Sequence, residues 1–367
     1  MAGETEMPDK MTALIAMSGG VDSSVAAFLM KQAGYNCRGA TMRLYTNTDI
    51  GLDRMKTCCS QQDIEDAAEI AYKLDIPYDV LDYTKDFRKE IMESFIAVYE
   101  SGGTPNPCID CNRIMKFSKM LEYADKNGLW YLVTGHYART AYDEKSGRYL
   151  LKKGLDEDKD QSYFLSVLDQ YQLSRAKFPL GELTKEETRK IAAENGFINA
   201  SKHDSQDICF VPDGDYMKFM EGYTGKKYPE GDFLDMNGNV VGRHKGAVGY
   251  TIGQRRGLDL PMGHRIYVCS KNMENNTVTV GENSDLYSIG LTAGEVNWIS
   301  VPGIDEPMRV KAKTRSRQKE QPATVYADGD GIRVIFDEPQ RAITIGQTVA
   351  LYDGDTAVAG GRITGTV

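Results

Sequence analysis

A chain of 367 residues that is 41% hydrophobic and 26% charged has ordinary globular composition and length for two or three domains of roughly 100–200 residues each. No apolar run is long enough to cross a bilayer, and the polar, acidic residues 1–10 have neither a signal-peptide core nor transit-peptide character, so a cytoplasmic location is expected. A net charge of −9 argues weakly against nucleic acid as a partner, and seven cysteines, an odd count, argue against a disulfide framework and for thiol or metal chemistry.

Residues 13–17 predict a buried strand and residues 25–30 the start of a buried helix. Between them lies Ser18-Gly19-Gly20-Val21-Asp22-Ser23-Ser24. The glycines allow a tight turn and close approach of the backbone to a ligand. The helix N-terminus that follows presents N–H groups and a positive dipole end, and the serines add donors. The loop is a seat for a phosphate chain. It lacks the lysine of G-x-x-x-x-G-K-[ST] and the third glycine of G-x-G-x-x-G, so it belongs to neither of those loops.

Residues 37–45 predict a second strand, and Ser60 caps a helix with Asp63 in its first turn, running to Leu74. A strand over 77–83, helices over 87–99 and 114–127, and a strand over 129–133 follow, the last ending in Thr134-Gly135-His136-Tyr137. This alternation predicts an α/β fold with a doubly wound parallel sheet, whose ligands sit at the carboxyl ends of the strands. Lys145-Ser146-Gly147 supports a hairpin turn, and residues 163–194 read as mostly helical. From Ser201 glycine becomes frequent; short β-like runs at 265–268, 277–280, 333–336 and 348–351 predict a small C-terminal β-barrel. The expected domains are 1–200, a central 201–272 carrying Cys209, and a barrel over 273–367.

Cys108 and Cys111 form a C-x-x-C in Thr104-Pro105-Asn106-Pro107-Cys108-Ile109-Asp110-Cys111-Asn112, and Cys209 lies in Asp204-Ser205-Gln206-Asp207-Ile208-Cys209-Phe210. The prolines around Asn106 fix an extended loop and end any helix before it. Cys111 then falls near a helix start, where a thiol is more acidic and suits a nucleophile or a metal ligand. A lone C-x-x-C reads equally well as two buried small hydrophobes, and the absence of a second one disfavours four-cysteine zinc. The adjacent Cys58 and Cys59 read as structural, and Cys37 and Cys269 as core. Arg309, Lys311, Lys313, Arg315, Arg317 and Lys319 alternate, which in a strand puts six cations on one face. Arg243, Lys245, Arg255, Arg256 and Arg265 add a second basic region. Together they favour RNA phosphate as a partner despite the negative total.

The ordered set of SGGVDSS, GTPNP with Cys111-Asn112, TGHYAR, KDQSY, SQDICF and YTIGQRRG resembles the tRNA-specific 2-thiouridylases, members of the adenylating ATP pyrophosphatase group. The resemblance spans Ser18 to Gly257 and implies an adenine nucleotide alpha-hydrolase-like first domain, a small central domain and a C-terminal barrel. It implies ATP and Mg²⁺ as cofactors, and tRNA and a sulfur-donor protein as partners. Residue by residue, it implies that Ala16, Met17, Ser18, Gly19, Gly20, Val21, Asp22, Ser23, Met42 and Gly135 bind ATP. Asn106, Pro107 and Cys108 would face the target base. Cys111 and Cys209 would be catalytic, with Cys209 the persulfide carrier. His136, Lys159, Asp160, Gln161, Arg315, Ser316 and Gln347 would touch tRNA. Many members carry aspartate where this chain has Cys108, so a carboxylate able to act as acid or base is missing. Cys108, Cys111 and Cys209 together form an alternative ligand set for a [4Fe–4S] cluster delivering hydrosulfide. An adenylating synthetase acting on a small molecule, and an RNA-binding protein with a relic loop, are the rival readings.

Overall fold

The computed structural model describes residues 9–46, 49, 61–202, 208–211 and 213–367; Cys58, Cys59, Ser60, Ser205, Gln206 and Asp207 lie outside them. The chain divides into two units, one of Met1–Ile91, Cys108–Pro212 and Asp355–Ala357, the other of Met92–Pro107, Asp213–Gly354 and Val358–Val367. No helix among the described residues is long and apolar enough to cross a membrane.

The first unit opens with β1 (Thr12–Ala16), α1 (Val21–Gln32), β2 (Asn36–Arg43), α2 (Gln61–Lys73) and β3 (Tyr78–Asp82). The next helix begins as α3 (Thr84–Phe87), passes through a π-helical turn at Arg88–Glu93 and ends as α4 (Ser94–Glu100), whose residues belong to the second unit. A further helix starts as α5 (Pro107–Asp110), widens to π geometry over Cys111–Lys119 and closes as α6 (Met120–Lys126). Then come β4 (Tyr131–Val133), the hairpin β5 (Ala138–Asp143) and β6 (Arg148–Lys153), α7 (Ser162–Leu165), α8 (Gln170–Arg175), β7 (Ala176–Lys177) and α9 (Lys185–Glu194). The five-stranded sheet has the order β3-β2-β1-β4-β7 and every pairing is parallel. Ala13, Leu14 and Ile15 are fully buried, as expected for a central strand covered on both faces. Val21, Val25 and Ala26 of α1 and Ala192 of α9 join Ala13 and Ile15 in one core.

The long helix expected over 163–194 is broken. Asp169 caps α8 by a reciprocal box with Gln172, Ala176–Lys177 forms the edge strand, and Thr184 starts α9 by a second box with Glu187. Two start signals inside one apolar-rich stretch divide it.

The second unit contains α4, the loop 101–107, α10 (Tyr216–Thr224), and strands β8 (Gly231–Leu234), β9 (Val240–His244), β10 (Tyr267–Asn272) and β11 (Thr277–Gly281), ordered β10-β11-β8-β9. Phe95 of α4 meets Tyr216 and Phe219 edge-on, and Tyr99 stacks on Tyr216 at 5.8 Å. A barrel follows from β12 (Tyr287–Trp298), β13 (Met308–Lys313), β14 (Gln321–Asp328), β15 (Gly331–Arg341), β16 (Thr348–Asp353) and β17 (Thr356–Thr366), in the order β12-β15-β14-β13-β16-β17, closed by pairing of β17 with β12. Leu291, Val310, Val325, Val334, Phe336, Leu351 and Val358 fill it. Closure removes the exposed sheet edges.

The six-cation face is shorter than expected. β13 ends at Lys313, which is buried, and Arg315 to Lys319 lie in the bend beyond it. The Arg309 guanidinium grips both oxygens of Asp337 at 2.7 and 2.8 Å, so this charge is already matched within the barrel.

Candidate nucleotide and thiol site

The Ser18 to Ser23 loop leaves the carboxyl end of β1 and enters α1. Gly19 adopts φ +72°, and a Cβ there would stand 2.3 Å from the Asp63 carbonyl oxygen, so only glycine fits. The N-cap of α1 is Gly20, which has no side chain to satisfy the first-turn amides. Its carbonyl accepts from Ser23 Oγ at 3.0 Å and Ser24 Oγ at 3.1 Å, while Ser18 N–H donates to Ser23 Oγ at 3.1 Å. The turn is thus held by its own serines, with the helix end uncapped by its N-cap residue. That arrangement suits an anion.

Residues far along the chain brace this loop. Lys185 Nζ donates to both Asp22 oxygens at 2.7 and 2.8 Å, and Tyr137 Oη donates to Asp22 Oδ1 at 3.0 Å. Asn199 Nδ2 reaches the Gly19 carbonyl at 3.1 Å and Ser24 Oγ at 2.9 Å. Lys202 Nζ also reaches the Gly19 carbonyl, at 3.2 Å, and pairs with the buried Asp63 and Asp66. Burial alone raises the Asp66 carboxyl, but hydrogen bonds from Lys202 and Gln62 bring it below its ordinary value. None of Lys185, Asn199 and Lys202 stood out in the sequence, because the pairings join positions well over a hundred residues apart. The acidic loop residue and the lysine opening α9 were the available signals.

Gly135, at the end of β4, lies against α1: a Cβ there would be 2.8 Å from both Asp22 C and Ser23 N. Its glycine identity is explained by that close approach. Met42 is buried near the end of β2. His136, expected at tRNA, is buried between Phe117 and Phe178, with Nδ1 2.7 Å from Thr134 Oγ1. Burial, and then the Lys116 charge, hold its imidazole well below the usual value, so it is neutral.

The cysteines differ in environment. Cys108 is exposed, in the first turn of α5; Cys111 is half-buried one turn further on. The expected acidification of Cys111 does not occur. Burial pushes its thiol up to about 11; Lys116 opposes this, and Cys108 and Asp110 add to it. Because the helix begins at Pro107, four residues ahead of Cys111, the helix-end effect has largely decayed there. Cys209 was expected in a central domain but belongs to the first unit. The Tyr45 hydroxyl, just past β2, donates to its carbonyl at 2.7 Å, and Phe210 packs edge-on against Phe87. Its segment is thereby fixed at the carboxyl edge of the parallel sheet, the edge that also carries Gly19 and Gly135. Among the described residues no group of three or more His, Cys, Asp or Glu is gathered to hold a metal ion.

Several expected tRNA contacts are engaged with the chain itself. Asp160 accepts from Gly154 N, Ser162 N and Ser162 Oγ, and Gln161 Oε1 accepts from Tyr137 N at 2.9 Å. Lys159 is half-buried beside them. In the second unit, Arg315 donates to the Ala342 carbonyl, Ser316 is half-buried, and Gln347 donates to the carbonyls of Thr104 and Pro105. Asn106 is half-buried and Pro107 buried. Elsewhere in that unit, Arg255, His264, Arg265, Leu258 and Ile266 line an open cavity of about 560 Å³ with exposed cations and a buried apolar floor.

Three family models cover the chain: a tRNA methyl transferase HUP domain over residues 11–213, a tRNA methyl transferase PRC-barrel domain over 217–282, and an aminomethyltransferase beta-barrel domain over 288–363. The tRNA-specific 2-thiouridylase MnmA of Acetivibrio thermocellus is 48% identical over 96% of this chain and 99% of that protein. The chain belongs to the tRNA-specific 2-thiouridylase family. The thiouridylase of Clostridioides difficile is 46% identical over 95% of this chain and 97% of its own length, and that of Symbiobacterium thermophilum 46% identical over 95% and 91%. Among solved structures, a 4-thiouridine synthetase–RNA complex with bound ATP matches at a TM-score of 0.33 and 19% identity, over 55% of this chain and 45% of that one.

Proposed function

We propose that this chain is a tRNA sulfurtransferase that replaces the C2 oxygen of a wobble uridine with sulfur at the expense of ATP. The observation that carries the reading is the 48% identity to a 2-thiouridylase along essentially the whole of both chains. The uncapped helix end at Gly20, braced through Asp22 and Lys185, supports the use of a nucleotide.

In this reading magnesium ATP enters as substrate, its phosphates on the Ser18 to Ser23 loop. The uridine O2 attacks the α-phosphorus; pyrophosphate leaves, its charge met by the magnesium it carries and by the α1 amides. The O-adenylated base then has AMP as its leaving group at C2. Cys209 carries the outer sulfur of a persulfide received from a donor protein. The Cys111 thiolate attacks the inner sulfur, giving a Cys111–Cys209 disulfide and hydrosulfide, which adds to C2 and expels AMP; a reductant reopens the disulfide. The buried Cys111 thiol must first lose its proton, and the nearby Lys116 charge is the group that favours its thiolate. The target base leaves its stack to enter, as base-modifying enzymes require.

The test supplies ATP, a persulfide or sulfide donor and unmodified tRNA, and reads nucleosides by mass spectrometry. The expected product is 2-thiouridine, lost in Cys209→Ser and Asp22→Ala. A fully active Cys209→Ser enzyme removes the carrier role. Pyrophosphate release without RNA would instead indicate a small-molecule synthetase, and a methylated nucleoside would follow the domain descriptions rather than the relatives.

A further inference from the structure

The loop 101–107 places Asn106 between two prolines. Those prolines contribute no N–H, so a backbone ladder along the segment is interrupted, and side-chain donors are needed for carbonyls that the ladder leaves over. Other segments of the same unit supply them. Gln347 Nε2 donates to the Thr104 carbonyl at 2.9 Å and the Pro105 carbonyl at 3.1 Å. Lys271 Nζ stands 3.5 Å from the Gly103 carbonyl. In the opposite direction, Thr104 N–H donates to the Ile345 carbonyl at 2.9 Å, and Gly103 N–H to that of Val98, also at 2.9 Å.

Two glycines let these backbones meet. Gly346 has φ +89°, and a Cβ there would lie 3.1 Å from Thr104 O and 3.0 Å from Val98 Cγ1. A Cβ on Gly103 would lie 2.9 Å from Val98 Cγ1 and 3.3 Å from Ile345 O. Pro105 is buried in the contact.

We propose that the turn 344–347 of the barrel is a clamp that sets the position of Asn106, and that Gln347 acts as a positioning residue on the 101–107 loop. The assignment of that loop to the target base rests on the function proposed above; the clamp itself does not. One amide NH₂ serves two carbonyls here, each hydrogen taking one acceptor. A glutamate in its place has the same shape but presents oxygens to oxygens, so it is worse than a truncation. A residue that touched RNA through polarity alone would show no such order.

The test compares Gln347→Ala, Gln347→Glu and Gln347→Arg in the full chain. Amide hydrogen exchange at Thr104 and Asn106 is measured without ligands, alongside tRNA affinity and the kcat for thiolation. The clamp predicts faster exchange, by about tenfold for Ala, the loss of one to two net hydrogen bonds, and more for Glu. It predicts kcat falling in the same order. Gly346→Ala, which leaves the amide in place but crowds Thr104, should give the same pair of changes. Unchanged exchange together with weakened tRNA binding that Gln347→Arg restores overturns the proposal in favour of direct RNA contact. If exchange responds as stated but no variant or parent makes 2-thiouridine, the clamp stands and the proposed function falls.

Discussion

At the scale of single residues, the chemistry turns on where each thiol sits. Cys111 has a thiol pushed up to about 11 by burial, so at pH 7.5 it is held overwhelmingly as the protonated thiol. Cys108 is exposed in the first helical turn. Iodoacetamide at pH 7.5 should therefore modify Cys108 well before Cys111, and the Cys111 rate should climb about tenfold per pH unit up to about 11. Peptide mass spectrometry over time reads both; equal rates at pH 7.5 would contradict this environment. The residues of the glycine loop were legible because they are contiguous and each answers a local demand for turn, donor or dipole. Lys185, Asn199 and Lys202 were not, since only the fold brings them to Asp22 and Gly19. His136, Asp160, Gln161 and Gln347 came as tRNA contacts from the family resemblance alone, and the fold gives each of them a partner within the chain as well.

Elements were most legible where apolar periodicity was unbroken. β1 and α1 fall within a few residues of expectation because a buried central parallel strand is a continuous apolar run and α1 follows a clear loop; β2 and β3 do so too, although they are less apolar and β3 is only partly buried. The helix expected over 163–194 failed because capping boxes, local side-chain events, divide it. β17 passed unnoticed because Ala357, Ala359, Gly360 and Gly361 carry little β signal of their own; barrel closure makes them a strand. The join between β1 and α1 gives a direct test. Gly19→Ala must place a Cβ against Asp63 at φ +72°, whereas Gly34→Ala, at φ +83°, meets nothing within 4 Å. The second change should cost about 1 kcal/mol, from backbone conformation alone. The first should cost about 2 kcal/mol or more and abolish ATP turnover. Urea unfolding and pyrophosphate release measure the two, and equal costs would mean that the loop yields to Asp63.

Across the whole molecule, a formal charge of −9 coexists with local basic surfaces, and the structure sorts which cations are available. Arg309 is matched by Asp337, while Arg255 and Arg265 are exposed around the cavity of the central sheet region. Replacing Arg255 and Arg265 together by alanine should flatten the plot of log affinity for tRNA against log salt by about two. Arg309→Ala should leave that slope nearly unchanged; filter binding at several salt concentrations distinguishes them, and the reverse result would restore β13 as the RNA face. Sequence alternation could not make this distinction, because Asp337 lies on another strand.

The two units are interleaved rather than sequential: residues 92–107 and 358–367 of the second are covalently set within or beyond pieces of the first. A fragment stopping near residue 213, where the first family model ends, inherits the phosphate turn and all three motif cysteines. It also inherits Phe95 and Tyr99 stripped of Tyr216 and Phe219, and Thr104 stripped of Ile345 and Gln347. Modular inheritance of this gene is therefore constrained: recombination that swaps its last third replaces the scaffolding under Asn106 as well as the barrel.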